Sequence, residues 1–342
     1  MKPCMALVVC CVLLLDGWSV PKANAQAAEA QAHVAAAKAL AYEPGQDLTN
    51  IFGICAEPRP APAQAAEPAA PAARRIPPRN QWYTEPAKVF DNLYYIGGSE
   101  QDNNAVWAIT TSEGIILIDA GYEYSVEELV VNGLKKLKLD PVQIKYVLLT
   151  TAKPQTFAGA KLLQERYKPR VALSNADWTV IEKSNLPAEI KPKRDMVITD
   201  GQKVTLGDVT VTLYVTPGNS PGTVSMIISP LKDGNQKHVG SHFGGRAPFY
   251  QGDGVAYFPS EIDAIRTWGA QAKRYKEIAE KAGADVFLSP RVNIDKTLDK
   301  INAIQFRKPG GPHPLVNKAA VSRGQTIIYE CMQAQLAFRA AK

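Results

Sequence analysis

Histidine is scarce in this chain, which has only four among 342 residues. A protein zinc centre takes its ligands from imidazole, thiolate or carboxylate groups. Four scattered histidines leave little material for such a centre. His33 and His313 lie far from one another, and only His238 and His242 are close in sequence. Side chains four residues apart on an extended segment face the same side, which is a weak metal pattern and equally typical of packed or surface histidines.

Long hydrophobic runs are also missing. The apolar stretch at 4–15 is shorter than the roughly 20 residues that a membrane span needs. Lys2 precedes it and Ala23-Asn24-Ala25 follows it, which together are typical of a secretory signal cleaved after Ala25. The alternative is a buried amino-terminal helix. We predict a signal peptide over 1–25 and a periplasmic or secreted protein without a membrane span.

Cysteine is equally sparse, with five residues, of which three lie at positions 4, 10 and 11 inside the predicted signal. Cys55 and Cys331 are left after cleavage. An even pair in an oxidising compartment favours a disulfide, which would join the amino-terminal part to the carboxy-terminal helix. The alternative is two unrelated buried thiols.

Dense runs of positive charge are absent as well. Lys and Arg number 39 against 33 Asp and Glu, so the formal net charge is only +6. No stretch is basic enough to follow a nucleic-acid backbone, and we predict no nucleic-acid partner. Hydrophobic residues make up 46% of the chain, which is ample for a core.

The chain divides into three predicted parts: the signal at 1–25, an Ala/Pro-rich arm and linker at 26–84, and a globular domain at 85–342. The Ala-rich segment 27–43 predicts a helix. The tract 58–78 alternates Pro and Ala, and such a sequence forms an extended, semi-rigid linker instead of a core. Its expected role is to carry Cys55 around the globule, with docking of a partner as the alternative.

The globular part alternates short apolar runs with helical patterns. Ser125 and Glu128 form a capping box that predicts a helix to residue 139, Asn175 is the expected cap of the next helix, and Ser260 with Asp263 begins a long helix to residue 281. Predicted strands lie at 88–90, 93–97, 105–111, 114–119, 144–149, 170–174, 203–206, 209–215, 222–229, 237–241 and 285–289, and helices follow near 294–307 and 321–340. Periodicity alone therefore predicts an α/β fold with mixed sheets.

The segment 144–160 is the most informative. Its apolar start predicts a buried strand, Pro154 interrupts the strand pattern, and Gly159 begins a helix. It resembles the metal-binding strand and loop of the metallo-β-lactamase superfamily. The segments 90–97, 114–121 and 215–222 resemble that family's first strand pair, its aspartate-bearing strand and its Thr-Pro-Gly-His-Ser-Pro-Gly loop. The resemblance covers about 85–310 and is greatest to exported relatives of the third subclass of class B β-lactamases. It implies an αββα sandwich of two mixed sheets with outer helices.

The resemblance also assigns six zinc-ligand positions, and none of them holds a usual zinc donor. They are Ala152, Pro154, Thr156, Phe157, Asn219 and Arg291. Family hydrolysis depends on zinc, which lowers the pKa of bound water from 15.7 towards about 7. We therefore predict that the protein has no metal cofactor and lacks the chemistry of its family.

Other chemistry has weak support in the sequence. Ser220 and Ser241 are near the expected pocket, but no nucleophile-elbow pattern surrounds them. Asp119 loses its family partner, and it either pairs with Arg291 or Lys153 or caps a turn. Asn219 is expected to hydrogen-bond its own turn. Arg291 either binds a carboxylate or phosphate or forms a structural salt bridge.

These observations predict an exported pseudoenzyme that binds a small anionic ligand or an envelope protein. The candidate ligand-binding residues are Arg291, Asn219, Thr156, Asp119 and His242. One alternative is a residual hydrolase of β-lactams, lactones or esters, with a site rearranged around His238 and His242. A scaffold that acts through the Pro/Ala arm is the other.

Overall fold

The computed structural model describes residues 22–43, 47–57, 76–102 and 104–341. Most of the predicted signal peptide (1–21) and most of the Pro/Ala tract (58–75) lie outside the described residues. Among the described residues, no helix has the length and apolarity needed to cross a membrane.

Two β-sheets form the centre of the domain. The first has seven strands in chain order: β1 (Ala87–Phe90), β2 (Leu93–Tyr95), β3 (Trp107–Thr111), β4 (Gly114–Ile118), β5 (Ile144–Leu148), β6 (Arg170–Ser174) and β7 (Met196–Ile198). The second has the order β14-β11-β10-β9-β8, formed by β8 (Gln202–Leu206), β9 (Val209–Val215), β10 (Val224–Asp233), β11 (Gln236–His242) and β14 (Val286–Leu288). A small hairpin, β12 (Gln251–Gly252) and β13 (Val255–Ala256), lies apart from both.

Helices cover the outer faces of the two sheets. Those described are α1 (Lys22–Ala41), α2 (Thr49–Phe52), α3 (Arg79–Trp82), α4 (Asn132–Lys136), α5 (Pro154–Phe157), α6 (Ala160–Tyr167), α7 (Asn175–Lys183), α8 (Glu261–Lys281), α9 (Thr297–Ala303) and α10 (Lys318–Ala340). A π-helical segment, Glu127–Val131, leads into α4. Short 3₁₀ turns occur at Gly53–Cys55, Pro141–Gln143, Ala188–Ile190 and Ile304–Phe306.

The packing of apolar side chains gives four layers. One buried cluster, which includes Trp107 and Met226, lies between the sheets. A second cluster lies between the first sheet and helices α4 to α7, with Trp178 at its centre. A third, around Trp268, lies between the second sheet and helices α8 and α10. Each sheet is thus buried on both faces, and the predicted αββα sandwich is confirmed.

Two predicted helix starts differ from the structure. The Ser125 hydroxyl bonds the carbonyl oxygen of Tyr122, and Glu128 pairs with Arg79, so the capping box does not form. Helix α7 is capped one residue earlier than predicted, because the Ser174 hydroxyl accepts from the Asp177 N–H. The Ser260 cap of α8 is confirmed, with its hydroxyl accepting from the Asp263 N–H.

The amino-terminal arm packs against the carboxy-terminal helix. Buried Ala30 and Ala37 of α1 lie in apolar clusters with residues of α10. The predicted disulfide is present between Cys55, in a 3₁₀ turn, and Cys331, in α10. The arm is therefore part of the folded body on the side of the second sheet.

Candidate functional site

Five strands end at one edge of the sandwich, and the loops that follow them form the candidate site. Strand β4 is followed by Asp119, β5 by 149–153, β9 by 216–222, β11 by 243–250 and β14 by 289–291. In α/β sheets, the carboxyl ends of strands are where binding sites are commonly built. The segment that the sequence singled out is thus central to the site.

The loop after β5 is held by hydrogen bonds of its own. Pro154 begins the one-turn helix α5, where its fixed φ and missing N–H are tolerated. The Thr156 hydroxyl donates to the carbonyl oxygens of Thr151 (2.7 Å) and Lys153 (2.8 Å), and the Thr156 carbonyl accepts from the Ala120 N–H at 2.8 Å. Phe157 is fully buried in the outer core. The side chains of Thr156 and Phe157 therefore stabilise the loop and face away from solvent.

A buried carboxylate connects two of the loops. Asp177 accepts hydrogen bonds from the Ala152 N–H at 2.8 Å, from the Gly222 N–H at 2.7 Å and from the Ser220 hydroxyl. Burial raises the pKa of Asp177 to about 6, while those hydrogen bonds favour its ionised form. Asp177 therefore fixes the loop after β5 against the loop after β9. The Ser220 hydroxyl is used in this contact.

The loop after β9 is packed closely. Gly218 has a φ of +141°, and a Cβ atom there would lie 2.6 Å from the Trp268 ring. The next residue, Asn219, donates from its amide to the Ala247 carbonyl at 2.7 Å. The prediction that Asn219 bonds its own turn is therefore wrong, because its amide reaches the loop after β11.

Asp119 is also buried, and it lies in the left-handed region with a φ of 61°. Its carboxylate accepts from the Thr150 N–H at 2.8 Å and from the Thr150 hydroxyl at 2.8 and 2.9 Å. Burial raises the pKa of Asp119 to about 7, and the positive charge of Arg291 opposes that rise. Thr150 is thus the direct partner of Asp119, and Arg291 acts on it through charge.

A cavity of about 540 Å³ opens between these loops. Three cationic side chains, two carboxylates and an aromatic ring contribute to its lining, which consists of Asp102, Lys153, Pro154, Gln155, Asn219, Arg246, Phe249, Gln251, Gly252, Asp253 and Arg291. Cations outnumber acids by one in this lining, which favours an anionic occupant. Burial lowers the pKa of Arg291, although a guanidinium keeps its charge in proteins.

A slightly larger cleft, of about 570 Å³, lies elsewhere, between residues 41–43, 47 and 49 on one side and 295–303 on the other. Four of its charged side chains already pair with one another: Asp47 with Lys296 at 2.8 Å and buried Asp295 with Lys300 at 2.5 Å. The cavity at the strand ends is therefore the better candidate for a site.

The structure brings only some of the sequence-predicted ligand residues to this cavity. Arg291 and Asn219 line it. The Thr156 hydroxyl forms hydrogen bonds within its own loop. Asp119 is buried and accepts hydrogen bonds from Thr150, and His242 is fully buried at the end of β11. None of these three is part of the cavity lining, because each faces the packed interior.

The two neighbouring histidines do not form a joint site. His238 lies four residues before His242 on β11, roughly 13 Å away at about 3.3 Å per residue. His238 Nδ1 lies 2.7 Å from Asp285, which precedes β14, so it is at the opposite end of the strand from the cavity. The site rearranged around both histidines, which the sequence left open as an alternative, is therefore not formed by these residues.

The zinc that the family uses does not fit the residues present. The six matched positions offer a methyl group, a proline ring, a hydroxyl, a benzyl group, an amide and a guanidinium. Among the described residues, no cluster of three or more His, Cys, Asp or Glu side chains could hold a metal ion. Arg291 places a positive charge where a cation would need a ligand, which repels a metal ion.

Sequence reasoning missed Arg246 and Phe249 and used Lys153 only as a partner for Asp119. Lys153 stands between two former ligand positions, and its place in the motif could have identified it. Arg246 and Phe249 belong to the loop after β11, which has no pattern of its own. Gly245 explains that loop's course, because a Cβ there would lie 2.4 Å from the side chain of Asn219.

Comparison with known proteins finds the same superfamily that the sequence motifs resemble. Residues 100–229 match the family model of the metallo-β-lactamase superfamily. The structure is similar to that of BJP-1, a subclass B3 metallo-β-lactamase of Bradyrhizobium japonicum, with a TM-score of 0.62 and 26% identity over 75% of this chain and 95% of that one.

Two further structures show the fold at lower identity. A metallo-β-lactamase of Cronobacter sakazakii has a TM-score of 0.61 and 22% identity over 82% of this chain and 100% of that chain. MIM-1 from Novosphingobium pentaromativorans has a TM-score of 0.60 and 22% identity, covering 75% and 91%. Together with the sandwich and the loops at its strand ends, these matches show that the chain has the metallo-β-lactamase fold and is similar in sequence to that superfamily over residues 100–229.

Proposed function

We propose that this protein is an exported, metal-free pseudoenzyme that binds a small anion in the cavity at the strand ends. The observation that carries the proposal is the position of Arg291. It occupies a ligand position of the family, lines the cavity and is partly buried. A partly buried guanidinium presents planar donors that suit a carboxylate or a phosphate.

The other cavity residues support an anion. Lys153 and Arg246 add two positive charges, and Asn219 adds an amide. Asp102 and Asp253 offset part of this charge, which favours a ligand with one or two negative groups over a highly charged one. The cavity volume of about 540 Å³ is within the range of small-molecule sites.

The histidines and serines near the site do not support hydrolysis by a rearranged site. His242 is fully buried, and burial lowers its pKa to about 4. His238 is held by Asp285 at the far end of the strand. Ser220 donates to Asp177, and Ser241 donates to the Tyr275 hydroxyl at 3.3 Å, so neither serine has a histidine base.

The test is the affinity of small carboxylates and phosphate for wild-type protein, measured by calorimetry. A charge-assisted contact is worth roughly 1.5–3 kcal/mol, so Arg291→Ala should weaken binding about ten- to a hundredfold. Arg266→Ala is the matched control, because Arg266 is 66% exposed on α8. If no anion binds wild type, or Arg291→Ala binds equally well, Arg291 is structural and any partner binds the outer surface.

Metal content gives a second test. We expect protein purified without chelator to hold well below one equivalent of zinc or iron, because the six matched positions lack donors. Added zinc should leave the thermal midpoint unchanged. Tightly bound, dialysis-resistant metal at one equivalent would overturn the pseudoenzyme proposal.

Export is the third part of the proposal. The apolar stretch at 4–15 and the small residues at 23–25 support cleavage before Gln26. The buried residues of α1 begin at Ala30, so cleavage there leaves its packing against α10 in place.

A further inference from the structure

Lys153 is placed differently from the other cations of the cavity. Its ammonium nitrogen lies 3.8 Å from the centre of the Phe249 ring and 5.3 Å from that of Tyr257. Among the described residues, no carboxylate lies within ion-pair distance of it. An amine held on aromatic faces in a cavity, without a salt bridge, is available to a ligand.

The surroundings also favour the neutral form of this amine. The pKa of Lys153 is lowered to about 8, first by burial and then by the charge of Arg291, while Asp253 and Asp177 oppose the change. About a tenth of Lys153 is then unprotonated at pH 7, and the unprotonated amine is a nucleophile.

A potential proton donor lies beside the cavity floor. Tyr257 is 7% exposed, and its hydroxyl has no hydrogen-bond partner among the described residues. A Cβ on Gly252, which lines the cavity, would lie 2.5 Å from that hydroxyl. Burial raises the pKa of Tyr257, so the hydroxyl stays protonated and can donate.

We propose that Lys153 captures short oxo-carboxylates as an imine, with the carboxylate held by Arg291. The proposal rests on the anion site above and names its ligand class. The lone pair of Nζ forms a bond to the carbonyl carbon, and the π pair of the carbonyl moves to its oxygen, which takes a proton from the Tyr257 hydroxyl. The nitrogen then returns one proton to the Tyr257 oxygen. Loss of water, made from that oxygen and the two hydrogens of the amine, leaves a C=N bond. The step needs no oxidant, reductant or metal.

The geometry also selects the ligand. The carboxylate must reach Arg291 while the carbonyl carbon meets Lys153, and the two residues line one cavity close enough for their charges to interact. Glyoxylate and pyruvate carry the carboxylate directly on the carbonyl carbon, whereas succinic semialdehyde has two methylene groups between the two. Propanal has the carbonyl group without the carboxylate.

The test is reductive trapping on the full-length mature protein. Each of these four compounds is added with sodium cyanoborohydride, and labelled lysines are located by peptide mass spectrometry. We expect at least one of the three oxo-carboxylates to label Lys153 faster than every other lysine. Lys161 serves as an internal control, because it is nearby in the chain and pairs with Glu165. Lys153→Arg should remove the selective label.

A second variant isolates carboxylate recognition. Arg291→Ala should lower the ratio of oxo-carboxylate labelling to propanal labelling at Lys153 about ten- to a hundredfold, for the loss of one charge-assisted contact. Using a ratio cancels the change in amine reactivity that follows removal of the nearby charge. Tyr257→Phe should slow trapping without changing that ratio.

The outcomes separate this inference from the proposed function. Labelling spread evenly over surface lysines overturns the imine, even if calorimetry shows Arg291-dependent binding of simple carboxylates. Selective labelling of Lys153 by propanal and oxo-carboxylates alike, with an unchanged ratio in Arg291→Ala, overturns both the ligand class and the anion site. Normal far-ultraviolet circular dichroism of each variant confirms that it is folded.

Discussion

At the scale of single residues, Asp119 is a buried carboxyl group whose pKa the fold raises. It is buried and bonded to Thr150, and its pKa is about 7 against an ordinary 3.8. Between these values the folded state keeps a proton that the unfolded state loses. The contribution of Asp119 to the free energy of unfolding should therefore fall as the pH rises from about 4 to 7, by up to roughly 1.4 kcal/mol per pH unit.

Asp119→Asn should remove this contribution. The amide oxygen can still accept from the Thr150 N–H, while the side chain no longer titrates. The stability of the variant relative to wild type should rise steadily between pH 4 and 7 in urea denaturation. Asp208→Asn is the control, because hydrogen bonding to Lys232 lowers the pKa of Asp208 to about 2, and its difference from wild type should be flat above pH 5. A flat curve for Asp119→Asn would mean that Asp119 is already ionised.

The sequence could predict which residues lie near the site more easily than it could predict where their side chains point. Arg291 and Asn219 line the cavity, as their motif positions indicated. Thr156 and His242 turn inward, because hydrogen bonding within a loop and the alternation of a strand decide where each side chain points. A zinc-ligand motif does not predict the direction of either side chain, because neither residue binds zinc here.

At the scale of elements, the loop after β9 shows how backbone packing holds the site. Gly218 lies against Trp268 of α8, and its φ of +141° is one that other residues rarely adopt. The same loop carries Asn219 and the contacts of Ser220 and Gly222 with Asp177. A change at Gly218 must therefore disturb both the helix contact and the cavity wall.

Gly218→Ala should lower the free energy of unfolding by roughly 1–3 kcal/mol, because its methyl group meets the Trp268 ring. Gly201→Ala is the matched control: Gly201 also has a positive φ, 78°, but nothing lies within 4 Å of its Cβ position. We expect the control to cost only about 1 kcal/mol. Equal losses in chemical denaturation would show that backbone conformation alone makes Gly218 necessary.

The strands were more predictable than the helix starts. β6 and β9 begin and end where the apolar alternation indicates. Helix starts depend on which of several polar side chains reaches an N–H, so Ser174 replaces Asn175 and Ser125 serves a different turn. Strand β7 has only three residues, too few for a periodic pattern, and was missed.

At the scale of the whole molecule, the amino-terminal arm closes the chain on itself. Counting cysteines predicted the Cys55–Cys331 disulfide, whereas the packing of α1 on α10 follows from small alanine side chains that allow close approach and leave no distinct pattern. The Gln335 amide donates to the Ile54 carbonyl at 3.2 Å beside the disulfide. Covalent, polar and apolar contacts thus join the same two parts of the chain.

The double substitution Cys55→Ala and Cys331→Ala should lower the free energy of unfolding by about 5–6 kcal/mol in the chain-entropy model, because the disulfide closes a loop with a sequence separation of 276. The variant should still fold, since α1 keeps its contacts with α10. Wild type unfolded in urea with reductant should lose a similar amount, which separates the lost link from the lost packing of two buried sulfurs. If the oxidised wild type and the double variant unfold at the same urea concentration, the arm is held by α1 alone.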